Sequence, residues 1–208
     1  MMFVALALLW ACYYGVHSLL ATGRVKAAVA RRWPGAPRFY RLGYNQLSVW
    51  GFLAAWHWQE SLSAPALPRP PWLAAGGVVL GAVGLGLAVA ALRGYDLGEF
   101  AGWKYVRRAG LPTGALRTFG LNAWVRHPLY LGVLMLVAGA WLVAPTWPRA
   151  VFGLVTWAYV LVGLRWEERR LSAAFGPAYG AYRRGVPALW PRWPGKKSRI
   201  PTDNKAKS

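Results

Sequence analysis

The chain has 208 residues, of which 56% are hydrophobic and only 15% are charged, and its formal net charge is +19. A soluble domain usually has about 25% charged residues, so this composition argues against a soluble globular protein. Such a net charge can indicate nucleic-acid binding, but here the basic residues lie between long apolar segments and form no continuous basic helix. We therefore expect a membrane protein that binds no nucleic acid.

Five apolar segments along the chain predict transmembrane helices. They cover residues 2–21, 42–59, 72–92, 128–143 and 147–164, and their lengths approach the roughly 20 residues that cross a hydrocarbon core of about 30 Å. Prolines mark the connections between the second and third segments and between the fourth and fifth. The sequence thus predicts an all-α integral membrane protein of about five transmembrane helices, with a cytoplasmic amphipathic helix near its C-terminus.

The basic residues predict the orientation of these helices. Of the 25 Lys and Arg residues, 23 lie in the stretches 24–41, 93–126 and 165–208, which share one side of a five-span protein. The positive-inside rule places that side in the cytoplasm and the N-terminus outside. We expect one helical domain at 1–191 and a basic, disordered tail at 192–208 that rests against anionic lipid headgroups.

Acidic residues are scarce, and most of them lie at the predicted cytoplasmic helix ends. The chain has 6 in total, including Asp96 and Glu99 after the third span and Glu167 and Glu168 after the fifth. Ionisable groups near a bilayer boundary are costly unless paired or hydrated, so this clustering suggests a site. Alternatively, Glu167 and Glu168 only pair with neighbouring arginines at the helix end.

The fourth span begins with Arg126, His127 and Pro128. Proline suits the first turn of a helix, a helix N-terminus attracts anions, and an arginine provides a fixed donor fork. Ordinary basic flanking with a proline start would explain the same residues. Because the fourth and fifth spans form a hairpin, we expect these residues to lie beside Glu167 and Glu168. Arginine and glutamate together would match a zwitterionic amino-acid ligand.

Patterns at the two ends of this hairpin resemble a known family. Residues 126–132 read R-H-P-L-Y-L-G, and residues 167–191 contain E-E-R-x-L-x-x-x-F-G-x-x-Y-x-x-Y followed by V-P-x-x-x-P. This two-part pattern resembles the isoprenylcysteine carboxyl methyltransferase superfamily. H-S-L-L-A at 17–21, Y-R-L-G-Y-N at 40–45 and G-Y-D-L-G at 94–98 are similar to its NnrU and methanethiol S-methyltransferase branch.

The resemblance implies a methyltransferase of the bacterial inner membrane with S-adenosylmethionine as cofactor, bound between cytoplasmic helix ends and closed in by the C-terminal segment. By position, the cofactor-binding residues would be Arg126, His127, Pro128, Tyr130, Gly132, Glu167, Glu168, Tyr179 and Tyr182. The catalytic candidates are His127, Arg126 and Asp96, with His127 the best base for a thiol. A sulfonium charge itself favours a thiolate, so we expect no single base to be essential. No Cys/His spacing predicts a metal site.

The first functional hypothesis is methylation of a small or lipophilic thiol such as methanethiol. The acceptor could instead be a lipid headgroup or a carboxylate, the chain could be a non-catalytic NnrU-type protein, and a membrane reductase of the steroid 5α-reductase type is a weaker alternative. Two features stay open. His17 lies within the first span and either serves a site or hydrogen-bonds to another helix. The glycines of the third span serve helix packing or a lipid-accessible groove.

Overall fold

The computed structural model describes residues 1–93 and 116–190, except for the side chain of Arg38. The helices are α1 (Met2–Ala21), α2 (Gly23–Arg32), α3 (Pro37–Ser61), α4 (Pro71–Arg93), α5 (Pro128–Val143) and α6 (Trp147–Gly185), and a 3-10 helix at Gly120–Ala123 precedes α5. No strand occurs in these two ranges. The all-α fold is confirmed, while Asp96 and the tail at 192–208 lie outside the described residues.

The helix boundaries follow the proline and threonine positions of the sequence. α3, α4 and α5 each begin at a proline, where the missing backbone N–H costs no helical hydrogen bond. Thr22 separates α1 from α2, and its hydroxyl accepts a hydrogen bond from the backbone N–H of Val25 at 3.4 Å. Thr146 caps α6 in the same way. The proline-rich connection at 62–70 is non-helical, as predicted.

Three helices, α1, α4 and α6, are long and apolar enough to cross a membrane by length and composition. α5 is apolar, but its 16 residues extend only about 24 Å. α3 has 25 residues and is too polar to meet the same criterion. These helices make the chain an integral membrane protein. The count of five spans requires α3 and α5 to cross as well, and it stays a prediction.

The glycines of α4 pack directly against α5. A Cβ at Gly84 would lie 2.6 Å from the backbone nitrogen of Leu136, and one at Gly139 would lie 2.4 Å from that of Gly81. Backbones can approach this closely only where the residue at the contact has no side chain. By contrast, a Cβ at Gly86 would meet nothing within 4 Å in the described part of the chain. The glycines of α4 that face α5 (Gly77, Gly81 and Gly84) therefore serve helix packing.

α6 lies at the centre of the bundle, where it contacts α5, α1 and α3. Leu6 and Trp10 of α1, Ala55 of α3 and Phe152 of α6 form one buried apolar core. The indole N–H of Trp10 donates to the side-chain oxygen of Gln59 at 2.8 Å. This core fixes α1 and α3 against the first half of α6, so the second half of α6 carries the functional site beyond it.

Candidate active site

α5 and α6 bring the two halves of the predicted motif together. Arg126 and His127 immediately precede α5, and Glu167 and Glu168 follow the apolar part of α6. Because the two helices form a hairpin, both pairs return to the same end of it. The structure joins them directly, since Arg126 and His127 both hydrogen-bond to Glu168.

The Glu168 carboxylate is the centre of a buried hydrogen-bond network. Arg126 binds both of its oxygens, with Nε donating to Oε1 at 2.8 Å and Nη2 to Oε2 at 3.0 Å. His127 Nε2 lies 2.8 Å from Oε1, and the Tyr179 hydroxyl donates to the same oxygen at 2.7 Å. Arg183 Nε lies 3.5 Å from Oε2. Since Glu168 is only 8% exposed, these partners replace the water that its charge would otherwise require.

The network fixes the protonation states of Glu168 and Tyr179. Burial opposes ionisation of Glu168, but hydrogen bonds from Arg126, His127 and Tyr179 outweigh burial and lower its pKa to about 2. An ionised carboxylate only accepts hydrogen bonds, so His127 Nε2 must donate, and a neutral imidazole then has its unprotonated nitrogen at Nδ1. Burial, together with the bond to Glu168, raises the pKa of Tyr179, which keeps this hydroxyl a donor.

Glu167 occupies a different environment from its neighbour. Its side chain is 29% exposed, and the Tyr130 hydroxyl donates to its Oε2 at 2.6 Å. His127 Nδ1 lies 3.9 Å from that oxygen, and the rings of His127 and Tyr130 stack at 5.5 Å with an interplanar angle of 9°. His127 therefore lies between two carboxylates, with one ring nitrogen toward each.

The chain after Gly176 folds back onto the start of α5. Gly176 interrupts α6 with φ +50° and ψ −127°, a conformation that L side chains rarely adopt. The segment after α6 then pairs with the backbone in front of α5. Arg126 N donates to Pro187 O at 2.9 Å, and His127 N donates to Ala188 O at 3.1 Å. The C-terminal segment thus closes over the residues that bind Glu168.

Two buried tyrosines attach this segment to the rest of the site. Tyr179 and Tyr182 form an apolar cluster with Val186. The Tyr182 hydroxyl donates to the backbone oxygen of Asn122 at 2.6 Å, and the Asn122 amide donates to the backbone oxygen of Arg126 at 3.0 Å. Arg126 Nη1 in turn donates to the backbone oxygen of Val186. The closing segment, which follows Gly176, is therefore linked to Arg126 directly through Val186 and indirectly through Tyr182 and Asn122.

A cavity of about 610 Å³ lies beside this network, within the range of roughly 300–1,000 Å³ typical of small-molecule sites. It is lined by Arg126, Leu164, Arg165, Glu168, Arg169, Ser172, Arg183 and Ala188. The lining contains four arginines and a single carboxylate, Glu168, which Arg126 already pairs. The cavity therefore suits an anionic group such as a carboxylate or a phosphate.

Two residues of the predicted site, Pro128 and Gly132, lie outside the network, and two residues of the network, Asn122 and Arg183, were not predicted. Pro128 is buried in the first turn of α5, while Gly132 packs on α4, where a Cβ would lie 2.7 Å from the backbone nitrogen of Ala88. The sequence analysis did not identify Asn122 and Arg183. Only their positions in the sequence could have pointed to them: Asn122 lies four residues before Arg126, and Arg183 directly follows the Y-x-x-Y pattern.

Within 1–93 and 116–190, no three His, Cys, Asp or Glu residues are grouped to hold a metal ion.

Curated proteins with similar sequences carry methyltransferase names. Methanethiol S-methyltransferase 2 of Bradyrhizobium diazoefficiens is 35% identical over 150 residues, which are 67% of this chain and 54% of that protein. Methanethiol S-methyltransferase of Mycobacterium tuberculosis is 42% identical over 76 residues, 36% of this chain and 29% of that protein. Protein-S-isoprenylcysteine O-methyltransferase of Schizosaccharomyces pombe is 34% identical over 80 residues, 38% of this chain and 34% of that protein.

Each match covers only part of the relative's chain. The chain spans about half the length of the Bradyrhizobium relative and about a third of the other two. No family model matches the chain, and no solved structure matches it. The relatives nevertheless confirm that the chain resembles the isoprenylcysteine carboxyl methyltransferase superfamily and, within it, the methanethiol S-methyltransferases.

Proposed function

We propose that this chain is an integral membrane methyltransferase that uses S-adenosylmethionine and methylates a small thiol such as methanethiol. One observation carries the proposal: the R-H-P and E-E motifs form a single buried network beside a cavity of about 610 Å³. The names of the relatives support the same activity. Because the chain spans only part of the relatives' length, the proposal rests on the buried network and the cavity beside it.

The charged groups of the site fit the amino-acid end of this cofactor. Its carboxylate matches the guanidinium groups of Arg165, Arg169 and Arg183, which line the cavity. Its ammonium matches a carboxylate, and Glu167, the sequence neighbour of the lining residue Glu168, is the more exposed of the two and has one carboxylate oxygen without a hydrogen-bond partner in the described part of the chain. This complementarity of opposite charges supports S-adenosylmethionine as the cofactor.

Arg126 and Glu168 have a different role in this proposal. Each satisfies the other through two hydrogen bonds, and both side chains are 10% exposed or less. We therefore assign them to holding His127 and the closing segment in place, and not to direct contact with the cofactor. Such support sets the orientation of the groups that do touch a ligand.

The protein's part in the reaction is to orient the reactants, exclude water and accept a proton. When bound, S-adenosylmethionine supplies an electrophilic methyl group and a positive charge that favours a thiolate over a thiol. His127 Nδ1 is the basic nitrogen of the site when Nε2 donates to Glu168, so it can accept the thiol proton. We expect His127 to accelerate the reaction without being indispensable.

Cofactor binding tests the proposal before any acceptor is chosen. We would titrate detergent-purified protein with S-adenosylmethionine by calorimetry, comparing wild type with Glu167→Ala and His127→Ala. We expect both variants to bind at least about tenfold more weakly, or about 1.4 kcal/mol. Glu60→Ala, which removes a carboxylate paired with Arg149 at the opposite end of α6, is the control and should bind normally. No binding by folded wild type would refute the enzyme and favour the non-catalytic NnrU-type alternative.

A carboxylate or lipid-headgroup acceptor is the second candidate. The four arginines of the cavity favour an anionic group, and one relative is named an isoprenylcysteine O-methyltransferase. Radiolabelled methyl transfer distinguishes the candidates when methanethiol, a prenylated cysteine analogue and anionic lipid vesicles are offered separately. Transfer to methanethiol alone supports the thiol proposal, and transfer only to the lipid or the prenylated analogue replaces it.

The proposed location is the bacterial inner membrane, with the N-terminus outside and the site facing the cytoplasm. The candidate site lies at the end of α6 where the basic residues of 165–190 are found, and the positive-inside rule assigns that end to the cytoplasm. Reporter fusions after residues 32 and 185 should both report a cytoplasmic position. An external position for either fusion would refute this topology.

A further inference from the structure

The short helix α2 lies at the same end of the bundle as the candidate active site. α1 and α6 run parallel, because the rings of Trp10 and Phe152 lie 4.6 Å apart and Ser18 Oγ lies 3.0 Å from the Tyr159 hydroxyl. α1 is long and apolar enough to cross a membrane, and only Thr22 separates it from α2. α2 therefore begins where α1 leaves the membrane, on the side to which the second half of α6 extends.

Hydrogen bonds between α1 and α3 keep α2 close to this end. The Tyr44 hydroxyl lies 2.8 Å from His17 Nε2, and the Tyr40 hydroxyl donates to the backbone oxygen of Leu20 at 2.7 Å. His17 therefore hydrogen-bonds to another helix, one of the two alternatives that the sequence left open. Because the end of α1 lies beside the start of α3, residues 22–36 only join two neighbouring helix ends. The ten residues of α2 extend only about 15 Å, so the helix stays near the membrane surface.

α2 carries four exposed basic residues without a counter-ion: Arg24, Lys26, Arg31 and Arg32. None of them forms an ion pair with another residue of the two described ranges. The neighbouring helices supply no acidic side chain, since the first acidic residue of the chain is Glu60, at the far end of α3. Four like charges on ten residues repel one another, so α2 favours a bound anion.

Three of these residues surround one small side chain. Arg24 lies four residues before Ala28, and Arg31 and Arg32 lie three and four residues after it, spacings at which side chains are neighbours on a helix surface. Ala28 is exposed, and its side chain is a single methyl group, which leaves room for an anion between the three arginines. We call these three residues the arginine triad. Lys26 projects roughly 160° away from Ala28 and is not part of it.

The apolar side of α2 indicates which anion the triad meets. Val25 and Val29 are four residues apart and half-buried, and Trp33 follows at the same interval with 60% of its surface exposed. The Arg32 guanidinium lies 5.8 Å from the centre of the Trp33 ring. Indole rings are enriched at the level of lipid headgroups, and helices that combine a basic side with such rings lie in the plane of the interface. A lipid phosphate therefore fits this position better than a nucleic acid or an acidic protein does.

We propose that the arginine triad binds the phosphate group of an anionic membrane lipid, with α2 lying along the headgroups. Guanidinium groups match phosphate oxygens through paired hydrogen bonds, and basic residues at a membrane surface gain affinity for anionic lipids. The bound lipid supplies the counter-ion that residues 1–59 lack, and it attaches the connection between α1 and α3 to the membrane surface. Lipid binding at α2 requires neither S-adenosylmethionine nor a methyl acceptor, so it is independent of the proposed function.

A thiol at the centre of the triad tests this assignment in the full-length protein. In a Cys12→Ser background, which removes the single cysteine of the chain, the variant Ala28→Cys is labelled with maleimide in detergent. We expect phosphatidylglycerol to slow this labelling at least about fivefold relative to phosphatidylcholine. The double substitution Arg24→Gln and Arg31→Gln should abolish the protection, whereas Lys26→Gln removes a charge from the same helix and should keep it.

Three outcomes of the labelling experiment would overturn the assignment. They are equal labelling rates in the two lipids, equal protection by inorganic phosphate at the same concentration, and protection by a DNA duplex where phosphatidylglycerol gives none. The second outcome would assign the triad to a free anion, and the third would assign it to a nucleic acid.

Thermal unfolding provides a second measurement, without an introduced thiol. A ligand that binds only the folded state raises the Tm, so phosphatidylglycerol should raise the Tm of the wild type and of Lys26→Gln. The rise should be smaller in the variant that combines Arg24→Gln and Arg31→Gln, and an equal rise in all three proteins would overturn the lipid site. Neither measurement involves S-adenosylmethionine, so a negative result leaves the proposed function unaffected.

Discussion

Glu168→Gln should destabilise the protein strongly because it leaves a buried arginine without its counter-ion. The Arg126 side chain is 8% exposed, and two of its nitrogens bind the Glu168 carboxylate at 2.8 and 3.0 Å. Gln is close in shape to Glu but carries no charge, and its amide nitrogen cannot accept from the guanidinium. Removal of one partner of a buried ion pair costs about 3–5 kcal/mol, which corresponds to a fall of roughly 6–20 °C in Tm for a chain of this size.

Glu60→Gln is the matched control, because it breaks an ion pair of the same geometry in an exposed position. Arg149 binds Glu60 at 3.0 and 2.7 Å, but the two side chains are 27% and 36% exposed. An exposed pair contributes about 0–1 kcal/mol, so its Tm should fall by roughly 4 °C at most. Thermal unfolding in detergent, followed by circular dichroism, measures both. Equal shifts in the two variants would refute the argument that burial sets the cost.

Three further predictions follow from the same contacts. The pKa of Glu168 is lowered from 4.5 to about 2, so the stability that its charge contributes is complete above pH 4.5 and is lost as the pH falls toward 2. The Tm of the wild type should therefore decrease over that interval, and Glu168→Gln should lack this part of the decrease. Gly84→Ala should cost about 1–3 kcal/mol in a denaturant titration, because its Cβ would overlap α5, whereas a destabilisation by Gly86→Ala of the same size would contradict this. Tyr179→Phe removes the donor to Glu168 Oε1 and should lower stability by about 1.5–3 kcal/mol; an unchanged unfolding midpoint would show that the hydroxyl is dispensable.

Hydropathy and the hairpin were sufficient to predict that the two motifs lie side by side. The start of α5 at Pro128 and of α6 at Trp147 coincides with the predicted segments, because proline and the apolar runs mark both boundaries. A short turn between two helices then requires Arg126 and Glu168 to return to the same end. Their proximity could therefore be inferred without knowing any side-chain contact.

The contacts within the site could not be inferred in this way. Nothing in the sequence indicates that Gly176 reverses the chain, since glycine also occurs within straight helices, and this reversal is what brings Tyr179 onto Glu168. The partners of His17 depend on how α1 packs on α3, which hydropathy alone leaves undefined. Tertiary packing, and not local pattern, decided both.

Adjacent glutamates on a helix point about 100° apart, so Glu167 and Glu168 lie in different surroundings. Glu168 faces the closing segment and is saturated by Arg126, His127 and Tyr179, so it can hold the site but has little capacity to bind anything else. Glu167 has a side chain that is 29% exposed and has Tyr130 as its hydroxyl donor, so it keeps the capacity to bind a cation. His127 contacts Glu168 through one nitrogen and faces Glu167 with the other. One ring nitrogen is thus held by the buried carboxylate while the other faces the more exposed carboxylate, an arrangement that a single glutamate could not provide.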